Sequence, residues 1–86
     1  MKDFEKILKA LANRRRLQII RYLKDKKRAP VTNVSAHLKL SFKSTSKHLA
    51  VLFGAGIVDK EQENLSMFYF IPDSLPKLAS RIINLI

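Results

Sequence analysis

The chain has 86 residues, enough for one domain, and at this length folding buries only about 60–65% of the unfolded surface, so the core is thin and a partner subunit would help. Seventeen Lys and Arg stand against seven Asp and Glu, a formal charge of +10, which points first to nucleic acid and second to an anionic membrane surface. The absence of cysteine excludes disulfides, thiolate metal sites and thiol chemistry, and is compatible with a reducing, cytoplasmic setting.

The charge is concentrated at the front. Residues 1–28 hold eleven Lys and Arg against Asp3, Glu5 and Asp25, residues 29–56 hold Lys39, Lys43 and Lys47 with no acid, and residues 57–86 are slightly acidic. The opening MKDFEK has no apolar signal core, and no stretch approaches the roughly 20 apolar residues of a membrane span.

From Asp3 to Leu11, Phe4, Ile7, Leu8 and Leu11 make a helical stripe. Asn13 can cap a second helix, with Leu17, Ile19, Ile20 and Leu23 apolar and Arg14, Arg15, Arg16 and Arg21 around them. Asp25 to Pro30 reads as a turn, because the residue before a proline is pushed out of helical geometry. A short helix then opens at Val31 or Thr32 and runs through Leu38. Lys39-Leu40 is a tight turn, and Ser41 can cap a fourth helix. Two short helices joined this way, the second polar and basic, form the helix-turn-helix pattern.

In the fourth helix Thr45, Leu49 and Leu52 define a buried face. Its other face carries Phe42, Lys43, Ser44, Ser46 and Lys47 and no acid. Hydroxyls and cations on an exposed helix can reach phosphates and major-groove base edges. Gly56 can take the left-handed conformation that stops a helix. Ile57–Gln62 and Leu65–Ile71 then read as two strands about Glu63-Asn64, a wing. After Pro72, Asp73 or Ser74 is expected to cap a last helix. Leu78 and Ile82 would pack inward there, leaving Ile83 and Ile86 as an apolar patch for a second subunit.

The expected fold is therefore mainly α with a small β-hairpin: four helices, two strands and a last helix in a single domain over 1–86. This order resembles the ArsR/SmtB-like winged helix-turn-helix regulators over nearly the whole chain. Leu11-Ala12-Asn13 followed by Arg16-Leu17-Gln18-Ile19-Ile20 is similar to the family's LADPTRLRIL. Leu38-Lys39-Leu40-Ser41, Ser46, His48-Leu49, Val51-Leu52 and Ala55-Gly56-Ile57-Val58 match LGLSQSTVSHHLKVLREAGLV without a gap. The resemblance implies a homodimeric, sequence-specific DNA-binding repressor on a pseudo-palindromic site. It implies DNA contacts from Ser41, Phe42, Lys43, Ser44, Ser46, Lys47 and His48. It also implies a dimer interface of first and last helices through Phe4, Ile7, Leu8, Leu78, Ile82, Ile83 and Ile86.

Three departures bear on mechanism. Pro30 and Thr32 occupy the positions of the metal-sensing members' Cys-x-Cys pair. The last helix has no His. The wing carries Asp59, Glu61 and Glu63 where the family is typically Arg-rich, so its acids are expected to be repelled by phosphate. His37 and His48 lack a metal-ligand spacing, and no catalytic constellation is present; no cofactor and no membrane partner are expected, and a small-molecule effector is unassigned. A winged-helix protein-interaction module is the rival reading, motivated by the acidic wing and apolar last helix.

Overall fold

The computed structural model describes residues 2–86. Helix α1 spans Lys2–Leu11, with Asp3 and Glu5 in its first turn and Lys9 in its last, the distribution that the helix dipole favours. It turns Ile7, Ala10 and Leu11 inward. Helix α2, Arg14–Lys26, starts where Asn13 Oδ1 accepts a hydrogen bond from the Arg16 amide at 3.1 Å, and it buries Ile19, Ile20 and Leu23 completely or nearly so.

Helices α3 (Val31–Leu38) and α4 (Phe42–Gly54) form the helix-turn-helix. Both end in the same way. Leu40 N donates to Ser35 O at 3.1 Å and Lys39 N to Ala36 O at 3.3 Å; likewise Ile57 N donates to Leu52 O and Gly56 N to Phe53 O, both at 3.0 Å. This Schellman pairing places a left-handed residue after each helix: Gly56 at φ +75°, and Lys39 at φ +56° without a glycine's freedom. Val34, Leu49, Leu52, Ile57 and Val58 meet the α2 residues in the centre of the core.

The wing has three strands. β1 (Arg28–Pro30), β2 (Asp59–Glu63) and β3 (Ser66–Phe70) are antiparallel in the order β1-β3-β2. Ala29 and Lys60 both pair with Tyr69 across the ladder, and Ala29 and Tyr69 are buried. The sequence pattern reads Arg28–Pro30 as turn. It forms an edge strand instead, where a proline without an N–H is tolerated. The hairpin turns on Asn64, at φ +57°. Ile57 and Val58 precede β2 as buried connecting residues rather than strand.

Helix α5 is shorter than its apolar pattern suggests, spanning Lys77–Ile83. Pro76 is the reason: it restricts Leu75 to extended geometry, so the helix begins after Pro76 and neither Asp73 nor Ser74 caps it. Its orientation also differs from expectation. Ala79 and Ile83 are buried, while Leu78 and Ile82 are half-buried at the margin of the core. Lys24 of α2 donates from Nζ to Ile83 O at 2.9 Å, a cation placed at the negative end of α5.

Candidate nucleic-acid interface

The first turn of α4 is tightly held. Ser41 Oγ accepts from the Ser44 amide at 3.0 Å, and Thr45 Oγ1, fully buried, donates to Ser41 O at 2.9 Å. Thr45, Leu49 and Leu52 anchor the inner face. Phe42, Lys43, Ser44 and Lys47 are left exposed, and Ser46 and His48 half-buried. Lys43, Ser44 and Lys47 are spaced to share one side of the helix. The free amides at this N-terminus add positive potential, and no acid occurs between residues 29 and 58. The exposed side can therefore donate hydrogen bonds and attract phosphate.

The other cations divide by role. Arg14 and Arg15 are exposed, whereas Arg16 is engaged on three sides: Nε donates to Ala10 O at 2.6 Å, Nη2 to Lys9 O at 3.1 Å, and Nη1 lies 3.2 Å from His48 Nδ1. His48 is held below the usual histidine value of 6.5, by burial first and then by Arg16 and Arg15, which favours its neutral form. A second basic surface lies between α2 and the α3–α4 turn. Arg15, Arg21, Lys26 and Lys39, with Asp25 among them, line a groove of about 530 Å³ together with Tyr22 and His37, whose rings are tilted by 33° with centroids 4.5 Å apart. Arg15, Arg21 and Lys26 all come from α2, and the packing of α3 against that helix brings Lys39 to them.

The wing acids are not bare. Arg28 of β1 reaches across β3, over the Phe68 ring at 4.1 Å, and pairs with Glu61 at 2.9 Å and with Glu63. One guanidinium is shared by two carboxylates and offsets one of their two charges, so the repulsion expected from the sequence alone is reduced but not removed. The sequence signal was the odd-numbered alternation of Asp59, Glu61 and Glu63; their partner was hidden because it lies on a strand that the sequence pattern does not reveal. At the tip, Leu65 is 99% exposed.

The residues expected at a dimer face fall into two groups. Phe4, Leu8 and Ile86 are exposed, as is Leu85 beside them, and Leu78 and Ile82 are half-buried. Ile7 and Ile83 are only 5% and 4% exposed within the protomer's own core and have little surface to offer a second chain. No group of three or more His, Cys, Asp or Glu side chains is placed to hold a metal among the described residues, and none of their helices is long and apolar enough to cross a membrane.

A helix-turn-helix followed by a wing, with a cationic, acid-free second helix, defines the winged helix-turn-helix DNA-binding domain of a transcription regulator. Residues 13–60 match the family model described as bacterial regulatory protein, arsR family, and the chain belongs to that family. It is 36% identical over 78 residues to the transcriptional activator HlyU of Vibrio cholerae, an alignment covering 91% of this chain and 71% of that protein. The structure of HlyU from Vibrio cholerae is similar with a TM-score of 0.82 at 34% identity, covering 98% of this chain and 87% of that one. The transcriptional repressor PagR of Bacillus anthracis is similar with a TM-score of 0.80 at 31% identity, covering 98% and 92%. The homodimeric winged helix-turn-helix domain Mb0332 of Mycobacterium bovis is similar with a TM-score of 0.83 at 26% identity, covering 98% and 74%.

Proposed function

We propose that this regulator binds a pseudo-palindromic duplex operator as a homodimer and represses by occupying it, each protomer laying α4 in a major groove. The observation that carries the reading is the exposed side of α4, where Lys43, Ser44 and Lys47 stand without an acid on a helix start fixed by Ser41 and Thr45. Phosphate neutralisation supplies most of the affinity, and α4 supplies base discrimination. Phe42 and Ser46 flank this side and Ser41 serves it as cap, while His48 is engaged by Arg16 and is left out of the DNA contacts. Pairing through Phe4 and Leu8 of α1 with Leu78, Ile82 and Ile86 of the C-terminal segment would cover apolar surface that is open in the protomer. It would present two copies of α4 about 34 Å apart, one duplex turn. The homodimeric state of the Mycobacterium bovis domain supports the same assembly, and the PagR repressor supports repression, while HlyU is described as an activator.

The test is selection of duplexes from a randomised pool, followed by salt titration on the recovered sequence and sedimentation of the free protein. A symmetric consensus, a steep inverse dependence on salt and a dimer are expected. Enrichment of no sequence, or tight binding to a palindrome by a monomer, would overturn the reading.

A further inference from the structure

Among the described residues, Arg16 is the side chain whose hydrogen bonds tie α1 to α4 through α2. The carbonyls it meets, Lys9 O and Ala10 O, belong to the last turn of α1, where a helix leaves its acceptors unpaired. The remaining edge of the guanidinium meets His48 in the middle of α4. We propose that Arg16 is a positioning residue for specific DNA binding: acting through His48 as a neutral acceptor, it fixes α4 against α1 and so sets how the two recognition helices of the dimer face the duplex. The proposal rests on the homodimeric DNA-binding reading above.

The chemistry is directional. A guanidinium has only donors and stays charged, so the bond needs a lone pair on His48 Nδ1 and places the ring proton on Nε2. The charged groups bearing on His48 are Arg16 and Arg15 of α2; the neighbouring elements also carry cations, Lys9 of α1, whose ammonium is held by Glu5 at 2.8 Å, and Lys47 of α4. A proton on Nδ1 would remove the acceptor and add a cation beside Arg15 and Arg16. Specific affinity should then fall as pH drops below the ordinary histidine value. A His48 that contacted phosphate would do the reverse, because imidazolium binds phosphate better than imidazole does.

The experiment uses the full chain, a duplex recovered by selection with the wild type, and a mixed-sequence duplex of equal length. His48→Asn places an amide oxygen at the Nδ1 position and cannot be charged; His48→Ala removes the acceptor; Arg16→Lys removes the three-way geometry. Binding is measured near neutral pH and about one unit below the ordinary histidine value. His48→Asn should stay within about twofold of wild type and lose the acid sensitivity, while His48→Ala and Arg16→Lys should lower the ratio of specific to mixed-sequence affinity about tenfold, the worth of one charge-assisted hydrogen bond. Nitrogen NMR of the DNA-free protein should show His48 neutral with its proton on Nε2, a readout that survives if Arg16→Lys fails to fold. An unchanged ratio in His48→Ala, a His48-dependent rise of affinity on acidification, or a proton on Nδ1 near neutral pH would overturn the proposal. Failure of the wild type to enrich any duplex would instead sink the DNA-binding reading, and this proposal with it.

Discussion

Exchanging the residues that end α3 and α4 should move stability in opposite directions. Lys39 and Gly56 fill the same left-handed position of the same hydrogen-bonded motif. For a residue with a Cβ, that conformation costs about 1–2 kcal/mol. Glycine avoids the cost but loses about 0.4–1 kcal/mol through the greater freedom of its unfolded chain. Lys39→Gly should therefore stabilise by about 0.5–1 kcal/mol, and Gly56→Ala should destabilise by a similar amount, as the difference of those two terms. Packing adds little in the second case: a Cβ on Gly56 would meet only Pro76 Cγ, at an ordinary 3.9 Å. In a domain of this size 1 kcal/mol is about 4–8 °C in Tm. Thermal and urea unfolding at one fixed protein concentration, needed because assembly adds to apparent stability, would measure both variants. Shifts of the same sign in the two would refute the claim that backbone conformation decides the energetics at these turns.

Lys47→Ala and Ser44→Ala should impair specific binding more than non-specific binding, by about 1–3 kcal/mol if each serves a base contact; an unchanged ratio of the two affinities, measured by competition, would remove α4 from recognition. Changing Glu61 and Glu63 together to Gln frees Arg28, so duplex affinity should rise modestly and unfolding free energy should fall by no more than about 1 kcal/mol for exposed pairs, both read on the same preparation. Ile83→Asp places a charge in the protomer core and should unfold the chain by circular dichroism, whereas Leu8→Asp, at an exposed position, should give a folded monomer by sedimentation with lost operator affinity. Zn²⁺, Cd²⁺ and arsenite should not release the protein from DNA at stoichiometric concentration, because the chain has no thiolate for a soft ion to select; calorimetric binding coupled to release would contradict this.

The parts of the fold legible in sequence are those set by local rules. Asn13 and Ser41 cap as their side chains dictate, Thr45, Leu49 and Leu52 face inward by helical period, and Gly56 ends α4 as the sequence suggests. The parts that were hidden depend on partners distant in the chain. Three residues, Arg28–Pro30, have no period of their own and become a strand only because β3 offers an edge. The inward turn of Ile83 follows from how α5 docks on the core, with Ala79 and Ile83 buried, which the apolar pattern of the segment does not specify. The exposed side of α4 was readable because it needs only the capping and period of one helix. The engagement of His48 was not, because its partner lies 32 positions away on α2.

The side chains at the two ends of α2 give that helix a further consequence. Arg16 near its start grips the end of α1, and Lys24 near its finish grips the end of α5, the two grips separated by about 12 Å at the rise of an α-helix. In the proposed dimer, α1 and α5 make the contact between protomers, so α2 acts as a ruler whose two jaws are attached to the joint. Half-site spacing then becomes a mechanical property of one rigid rod rather than of the joint alone. Lengthening the rod between the jaws by a single residue would swing one grip about 100° around the axis relative to the other, and the dimer could keep its seam or its reach across the duplex, but not both.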